Sequence, residues 1–317
     1  MILVTGGLGY LGGRIVQTMA SGQGAGVRVL ARGTRPIPAG FPDGVKIRRG
    51  DVRDREGLRG VCDGISHVIH LAGLDQAACR KSPTDGLMVS GIGTLNMAEE
   101  AAISGVKRFL FVSSFHVYGN GCGDHLHEGM PLRPMNPYGV SRVAGEAYAR
   151  MVARERGLSV VVLRLSNGYG PPAYPGTSCW GLVVNDLCRQ AVRRGEIVLR
   201  GSGKDARDFV AVTDIVRALG LFVAAPAAAL DDGVLNIGGD SIRTTLEVAE
   251  CVQAVFAEMS GRRVPIRVGT GNGTKLLAPS VDISRARALG YIPQVDFREE
   301  VRRTLEAADG PLGGNVT

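Results

Sequence analysis

The sequence predicts an α/β protein whose main domain is a doubly wound parallel sheet, followed by a smaller C-terminal α/β lobe. Two observations support this fold. Short β-rich runs alternate with helical segments through the first half of the chain, and a glycine-rich turn joins the first strand to the first helix. Strands that alternate with helices form a parallel sheet covered on both faces. Right-handed crossovers then make this sheet doubly wound.

The first half of the chain divides into alternating β-rich and helical segments. The predicted strands are Ile2–Thr5, Val27–Ala31, Val45–Arg49, His67–Leu71, Phe109–Ser113 and Val160–Leu165. The predicted helices between them are Tyr10–Ala20, Asp54–Val61, Asp85–Ile103 and Pro137–Arg156. After these segments the rhythm changes, so we assign 1–165 and about 197–235 to the main domain, and about 166–196 and 236–308 to the smaller lobe. The glycine-rich residues 309–317 are expected to form a flexible tail.

Length and composition exclude several classes of protein. The 317 residues correspond to two domains of roughly 150 residues each. With 44% hydrophobic and 21% charged residues, the chain is not intrinsically disordered. Its longest apolar run, Leu219 to Leu230, contains Pro226 and is too short to span a bilayer. We therefore expect no membrane partner.

The N-terminus, the cysteines and the charge indicate a cytoplasmic protein with an anionic ligand. No basic leader or cleavage site opens the sequence, and the six scattered cysteines show neither metal-site nor redox spacing. We therefore expect a cytoplasmic protein without a bound metal. The net charge of +7 suits an anionic ligand, but it is spread over the chain, so a nucleic-acid partner is not expected.

The turn between the first strand and the first helix has the pattern of a dinucleotide-binding loop. The segment TGGLGYLG carries Gly6, Gly9 and Gly12, and Tyr10 and Leu11 open the helix. The glycines let the chain turn sharply, admit a pyrophosphate against bare backbone and let the helix pack close to the sheet. Because this pattern lies between a strand and a helix, it predicts a Rossmann-type site in which all five residues contact the cofactor.

The end of the second strand decides which dinucleotide is bound. A carboxylate there would hold the ribose hydroxyls of NAD, whereas an arginine can meet the extra phosphate of NADP. The residues present are Ala31 and Arg32, which favour NADP. A solvated Arg32 with NAD in the site is the alternative. Asp51 and Val52, just past the third strand, are candidates for contacts with the adenine.

Several motifs, in this order along the chain, resemble the extended short-chain dehydrogenase/reductases and, within them, the NAD(P)-dependent nucleotide-sugar epimerase/dehydratase family. Besides TGGLGYLG, they are HLAG at 70–73, SSFHVYG at 113–119, NPYGVSR at 136–142, LRLSNGYGP at 163–171, RDFVAVTDI at 207–215 and NIGG at 236–239. The resemblance extends from residue 1 to about 305. It implies the fold described above, a nicotinamide dinucleotide as cofactor and a nucleotide sugar as substrate.

The resemblance implies a Ser-Tyr-Lys centre with a supporting asparagine. Tyr138 matches the catalytic tyrosine, and Ser114 matches the residue whose hydroxyl holds the substrate oxygen. Two positions depart from the family pattern, since Arg142 replaces the lysine and Ser90 replaces the asparagine. The cofactor contacts that the resemblance implies in this part of the chain are Leu71, Ala72, Gly73, Ser113, Tyr138 and Arg142.

Arginine in the lysine position changes the chemistry of the centre. A free phenol ionises at about pH 10, so Tyr138 is a poor base unless a cation stabilises its phenolate. Tyr138 and Arg142 are four residues apart and therefore lie on one face of a helix. Arginine supplies the charge permanently, but its fork is longer and flatter than an ammonium group. The sequence leaves open whether Arg142 reaches the ribose of the cofactor.

The residues after Ser114 argue against dehydration. In the dehydratases of this family an acidic pair follows the serine or threonine, whereas this chain has Phe115 and His116. The ordinary pKa of a histidine, about 6.5, suits a proton donor. The other interpretation of His116 is that it lines the wall of the substrate pocket.

The diphosphate of the substrate is expected to meet two further residues. Asn167 and Arg207 occupy the positions that hold the diphosphate in the family, and an arginine fork matches phosphate oxygens. Lys275 is a candidate for a second cationic contact. Trp180 is expected in the core of the smaller lobe, with the pocket wall as the alternative.

Epimerisation of a nucleotide sugar is the leading hypothesis: a ring hydroxyl is oxidised to a ketone, which is then reduced on its other face. An NADPH-dependent nucleotide keto-deoxysugar reductase is the first alternative, which Arg32 favours. A catalytically weak nucleotide-binding protein is the second, which Arg142 and Ser90 favour. The resemblance also implies a homodimer that forms through the segments 85–103 and 137–156. The alanines expected at its interface are Ala98, Ala101, Ala102, Ala144 and Ala147.

Overall fold

A seven-stranded parallel sheet forms the centre of the computed structural model, which describes residues 1–22, 26–33, 36–119, 125–230, 232–270 and 280–313. The strands are β1 (Ile2–Thr5), β2 (Val27–Ala31), β3 (Lys46–Arg49), β4 (His67–His70), β5 (Arg108–Ser114), β6 (His125–Leu126), β7 (Val160–Leu165), β8 (Asn167–Tyr169), β9 (Ile197–Leu199), β10 (Ala206–Ala211), β11 (Val234–Ile237), β12 (Ile242–Thr244), β13 (Ile266–Val268) and β14 (Ser280–Val281). The large sheet has the order β11-β7-β5-β4-β1-β2-β3, and all its neighbouring strands are parallel. The predicted doubly wound parallel sheet is therefore confirmed.

Helices cover both faces of this sheet and build most of the smaller lobe. They are α1 (Tyr10–Ser21), α2 (Gln76–Lys81), α3 (Pro83–Leu87), α4 (Gly93–Ile103), α5 (Pro137–Arg156), α6 (Val183–Arg194), α7 (Val212–Ala224), α8 (Thr245–Ser260), α9 (Ser284–Ala288) and α10 (Phe297–Asp309). One buried core lies between the sheet and α1 and α7, and a second lies between the sheet and α4 and α5. Along the described ranges, no helix has the length and hydropathy needed to cross a bilayer.

Two predicted helices differ from the structure. The segment 54–61 forms successive turns instead of a helix, and Gly60 there adopts a left-handed φ of 70°, which glycine accepts without strain. The segment 85–103 is interrupted, because a π-helical turn over Met88–Ile92 separates α3 from α4. The amino-acid composition of these segments predicts neither the positive φ of Gly60 nor the π-helical turn.

The smaller lobe has a hydrophobic core of its own. Helices α6, α8 and α10 pack against one another around it. Strand β9, at 197–199, falls in the segment that the sequence analysis assigns to the main domain, but it pairs with β13 and contributes to the core of the smaller lobe. In contrast, α7 and β11 pack with the large sheet. The chain therefore crosses between the two lobes more often than the predicted boundaries imply.

The end of the chain is packed further than the predicted flexible tail allows. Helix α10 extends to Asp309, and the Leu312 carbonyl accepts a hydrogen bond from the indole N–H of Trp180 at 3.3 Å. Trp180 is buried, as expected, and packs against α10. Residues 314–317 lie outside the described residues.

A buried ion pair joins α5 to the large sheet. Arg164 on β7 donates to both carboxylate oxygens of Glu146 on α5, with the shortest distance 2.7 Å, and each side chain is only 3% exposed. The Ser113 hydroxyl on β5 donates to the same carboxylate at 2.5 Å. Arg164 also donates to the Tyr118 hydroxyl, which in turn donates to Asn236 on β11. These contacts connect α5 to three neighbouring strands.

Removing one member of this pair is expected to destabilise the fold strongly. Glu146→Leu leaves the Arg164 guanidinium buried without its counter-ion, and breaking a buried pair in this way costs about 3–5 kcal/mol. The measurement is the free energy of unfolding in urea. The control is Glu155→Leu on the same helix, since Glu155 is exposed and its loss should change stability by less than about 0.5 kcal/mol. Equal stability of the two variants would contradict a structural role for the ion pair.

Candidate active site

A cavity of about 650 Å³ opens above the carboxyl ends of the central parallel strands, where it also meets the smaller lobe. This is the end of a doubly wound sheet at which ligands bind. Apart from Lys275, every residue that the sequence analysis assigns to cofactor or substrate, from Gly6 to Arg207, lines this cavity. Its size is within the range of small-molecule sites.

The glycine loop forms the floor of one end of the cavity. Gly6 has a left-handed φ of 70°, and its carbonyl accepts a hydrogen bond from the Gly9 N–H at 2.9 Å. A Cβ atom at Gly12 would lie only 2.2 Å from that same carbonyl oxygen, so only glycine fits there. Tyr10 and Leu11 begin α1, and the Tyr10 hydroxyl donates to the Gly170 carbonyl. The amino end of α1 therefore faces the cavity, as an anionic pyrophosphate requires.

The predicted adenine end of the cavity is charged. Asp51 is paired with Arg53 at 2.7 Å, and this hydrogen-bonded partner holds the pKa of the Asp51 carboxyl below its usual range. Val52 is buried, and its carbonyl accepts a hydrogen bond from the Asn96 amide. Arg32 is exposed at the rim and has no ion-pair partner within the part of the chain that the structure describes. A phosphate at this rim would meet Arg32, whose charge also acts on Asp51 without forming a direct ion pair with it.

Thr5 and His70 hold the turn that follows β4. The Thr5 hydroxyl oxygen accepts hydrogen bonds from the backbone N–H groups of Leu71 and Ala72, at 3.1 and 3.0 Å. Its own hydrogen is then available for His70 Nδ1, which lies 2.9 Å away. Burial, together with the charge of Arg142, lowers the pKa of His70 to about 3, so the ring is neutral. This contact fixes Leu71 and Ala72 beside the glycine loop.

Arg142 occupies a closely fitted place beside Tyr138. Its guanidinium carbon lies 5.1 Å from the centroid of the Tyr138 ring, and Nη1 donates to the Val112 carbonyl at 3.4 Å. A Cβ atom at Gly73 would lie 2.3 Å from Nη2, so the glycine makes room for the guanidinium. Among the described residues, the buried Nε of Arg142 has no hydrogen-bond partner. The structure thus brings the predicted base and the predicted cation into contact.

Ser114 is joined to His116 in the wall of the cavity. Ser114 Oγ lies 3.0 Å from His116 Nδ1, and the imidazole contacts the Tyr138 ring edge to face at 5.5 Å. Burial, and then the charge of Arg207, lowers the pKa of His116 to about 4, which makes the ring neutral at physiological pH. The hydroxyl of Ser90, in the expected asparagine position, is buried and has no partner among the side chains described.

The substrate end of the cavity continues into a second one. Asn167 donates to the Asp208 carbonyl at 2.9 Å, and Arg207 pairs with Asp205 at 3.0 Å while remaining 42% exposed. Arg207 lines both the first cavity and an adjoining cavity of about 710 Å³, which Trp180 also lines. Lys275, the candidate for a second cationic contact, lies outside the described residues.

Comparisons with known proteins agree with this geometry. The model of the NAD dependent epimerase/dehydratase family matches residues 2–238. The dTDP-glucose 4,6-dehydratase of Actinoplanes sp. is 28% identical over 96% of this chain and 96% of that protein. The UDP-glucose 4-epimerase of Mycolicibacterium smegmatis is 30% identical over 96% of this chain and 97% of that protein. The solved structure of Thermus thermophilus UDP-glucose 4-epimerase in complex with NAD is 28% identical with a TM-score of 0.80, over 96% of this chain and 97% of that one.

The chain belongs to the NAD-dependent epimerase/dehydratase family. The predictions of this family, of an enzyme and of a nicotinamide dinucleotide cofactor are therefore confirmed. The relatives include both epimerases and dehydratases, so membership by itself leaves the reaction open.

The residues of the cavity fit the cofactor of the family. At Gly6 and Gly12 a Cβ would press on the backbone of the neighbouring loop, so the glycines keep this turn tight, and the amino end of α1 faces the cavity. The unpartnered Nε of Arg142 supplies a buried donor at the other end of the cavity. These features suit a dinucleotide, in which a pyrophosphate that carries two negative charges joins two polar nucleoside ends.

Sequence reasoning missed a polar residue that contacts His116 at this site. Gln76, at the start of α2, lines the cavity, and its side-chain nitrogen lies 2.7 Å from His116 Nε2. No motif includes a glutamine at this place, and the contact joins residues 40 positions apart. Only the folded structure, which brings the start of α2 to the turn after β5, could show it.

Blocking the space above α1 is expected to abolish cofactor binding without unfolding the protein. A Cβ atom at Gly9 would lie 3.2 Å from the Gly6 carbonyl oxygen, a tight but tolerable contact, whereas the branches of Gly9→Val would occupy the place of the pyrophosphate. Titration with NADP and NAD by calorimetry, and circular dichroism for the fold, measure the two effects. Gly220→Val is the control, because a side chain at this exposed helical position meets nothing within 4 Å. Unchanged affinity in a folded Gly9→Val variant would refute our assignment of the loop.

Proposed function

We propose that this protein is an NAD(P)-dependent epimerase that acts on a nucleotide sugar. The observation that carries the proposal is the contact of Tyr138 with Arg142, beside Ser114, in the cavity that the glycine loop also lines. Bound NAD(P) would supply the chemistry of hydride acceptance and return at a ring carbon.

The side chains divide the remaining work between them. Tyr138 accepts the proton of the ring hydroxyl when the alcohol becomes a ketone, and it returns the proton when the ketone is reduced on its other face. Arg142 supplies a permanent positive charge against the Tyr138 ring, where a phenolate needs it. Ser114 holds the reacting oxygen from the cavity wall. Because Tyr138 takes up one proton in the oxidation and gives it back in the reduction, one full cycle returns the enzyme to its starting protonation state.

The nucleotide part of the substrate is proposed to occupy the second cavity. Arg207 lies where the two cavities meet, so a diphosphate at this junction would place the sugar near Tyr138 and the nucleoside beyond it. Arginine forks bind phosphate oxygens in bidentate fashion. The relatives named for UDP-glucose and dTDP-glucose support a nucleoside diphosphate sugar as the substrate class.

Epimerisation is favoured over dehydration by the residues after Ser114. Elimination of water needs an acid and a base beside the sugar, and this chain places the apolar Phe115 and the neutral His116 there. A reductase that consumes NADPH on a nucleotide keto-deoxysugar is the second candidate, because Arg32 lies exposed at the rim without a carboxylate partner among the described residues. A weak nucleotide-binding protein is the third, supported by the replacements at Arg142 and Ser90.

We expect turnover to depend more on the positive charge at position 142 than on whether a guanidinium or an ammonium group carries it. Arg142→Lys should preserve or raise turnover, whereas Arg142→Met should lower it on the order of a hundredfold at neutral pH, a loss typical of impaired acid–base catalysis. Steady-state turnover on a panel of UDP-, dTDP- and GDP-sugars, with chromatography of the products, measures both. Gly73→Ala should also lower turnover, because its Cβ would displace the Arg142 guanidinium.

The outcomes of this experiment separate the candidate functions. Interconversion of two sugars without net consumption of cofactor supports the epimerase, and stoichiometric use of NADPH on keto-deoxysugars supports the reductase. No turnover by the parent or by Arg142→Lys on any substrate would favour the nucleotide-binding protein. Equal turnover by the parent and Arg142→Met would contradict the role given to the charge.

We also propose a homodimer that forms through the outer face of α4 and α5. Ala98 and Ala101, which the sequence analysis expected at the interface, are instead fully buried in the protein's own core. Ala147 is exposed, and so are the larger Ile103 and Val140. Apolar side chains exposed on one pair of helices favour a two-fold contact.

Light scattering at micromolar concentration is expected to give the mass of a dimer. Ala147→Arg should shift the mass toward that of a monomer, because a buried charge would face its copy across the two-fold axis. Arg156→Ala, at the exposed end of the same helix, is the control. A monomeric parent protein would refute the dimer.

A further inference from the structure

Three polar side chains lie in a row along the cavity wall, behind the oxygen that Ser114 is proposed to hold. Gln76 Nε2 lies 2.7 Å from His116 Nε2, and His116 Nδ1 lies 3.0 Å from Ser114 Oγ. Gln76 and Ser114 both line the cavity, and the imidazole connects them. Gln76 has no role in the reaction described above.

The direction of the hydrogen bonds in this row follows from the chemistry of its groups. The structure places the Gln76 amide nitrogen toward the ring, and in this orientation the amide donates and His116 Nε2 accepts with its lone pair. The imidazole is neutral at physiological pH and therefore carries one hydrogen, which must be on Nδ1. His116 thus donates from Nδ1 to Ser114 Oγ.

Ser114 is consequently left with one free hydrogen. Its oxygen accepts from His116 Nδ1–H at 3.0 Å and from the backbone N–H of His116 at 3.4 Å, which uses both lone pairs. The hydroxyl hydrogen has no acceptor among the described residues and is available to a ligand in the cavity. With the other tautomer of His116, the hydroxyl would donate to Nδ1 and would have no hydrogen for the ligand.

We propose that Gln76 is a positioning residue that sets the tautomer of His116 and so makes Ser114 a hydrogen-bond donor to the reacting sugar oxygen. This proposal rests on the proposed function. Negative charge develops on that oxygen when Tyr138 removes its proton and again when the ketone is reduced. A fixed donor at this point stabilises both transition states.

Further contacts position two members of this row, Gln76 at the start of its helix and the ring of His116. Gln76 is the first residue of α2, where the Asp75 carboxylate caps the helix by accepting from the Ala78 N–H at 2.8 Å. Asp75 also accepts from the Ser178 hydroxyl, which connects α2 to the segment before α6. The His116 ring is held against Tyr138. The cap therefore anchors the backbone of Gln76, and its exposed side chain reaches the ring that contacts Tyr138.

The first test reads the tautomer directly and needs no turnover. In protein labelled with ¹⁵N-histidine, the imidazole nitrogen shifts at mildly alkaline pH should show the His116 hydrogen on Nδ1. Gln76→Glu replaces a donor by a group that only accepts, so the hydrogen should move to Nε2. Gln76→Lys, which only donates, should keep it on Nδ1. A parent protein with the hydrogen on Nε2 would overturn the proposal, and so would a tautomer that is the same in both variants.

The second test measures the consequence for turnover. Loss of one donor to a developing oxyanion lowers kcat by about 10²–10³-fold, so Gln76→Glu should lower kcat by at least about tenfold with little change in KM. Gln76→Lys should restore most of the rate, which a merely structural role would not allow. Arg80→Gln, an exposed change on the same helix, is the control. Parent-like kcat in Gln76→Glu would overturn the proposal, whereas a parent inactive on every sugar would count against the proposed function and leave the tautomer test decisive for the row.

Discussion

The buried ion pair between Arg164 and Glu146 is the constraint on which the active site depends. Glu146 lies one helical turn after Arg142 and two turns after Tyr138 on α5, so anchoring its carboxylate to β7 fixes where both side chains stand above the sheet. Two buried charges offset each other only when their geometry is good and their remaining hydrogen-bonding groups are satisfied. Here Ser113 and Tyr118 complete that set. The ion pair thus anchors the middle of α5 to the sheet, below the proposed active site.

The arginine in the lysine position is accommodated by a glycine elsewhere in the chain. Arg142 is bulkier than a lysine near its charged end, and the space for its guanidinium exists because residue 73 has no side chain. The same charge contributes to the low pKa of His70, after burial. Arg142 and Gly73 are distant in sequence and adjacent in space, and a substitution that looks disruptive in the motif fits its surroundings in the fold.

Much of the fold and of the cavity lining could be predicted from the sequence, because the signals are local. Six of the seven strands of the large sheet were predicted as short β-rich runs, and the glycine loop lies between a strand and a helix, so their positions follow from neighbouring residues; β11 was not predicted. The helix expected at 54–61 was wrong because composition does not contain the left-handed φ of Gly60. The inward position of Ala98 depends on how α4 packs against the sheet. Gln76 belongs to the site because it contacts His116, 40 positions away, and no local sequence pattern predicts that contact.

Trp180 gives the protein an optical property that follows from its position. It is the only tryptophan in the sequence, its indole donates to a carbonyl near the end of the chain, and its side chain lines the second cavity. Fluorescence excited selectively at indole therefore comes from one point, at the boundary between the smaller lobe and the proposed nucleoside space. Emission from this point would register changes in the packing of α10 or in the solvent of that cavity, whereas the glycine loop and α5 contain no tryptophan and contribute no indole emission.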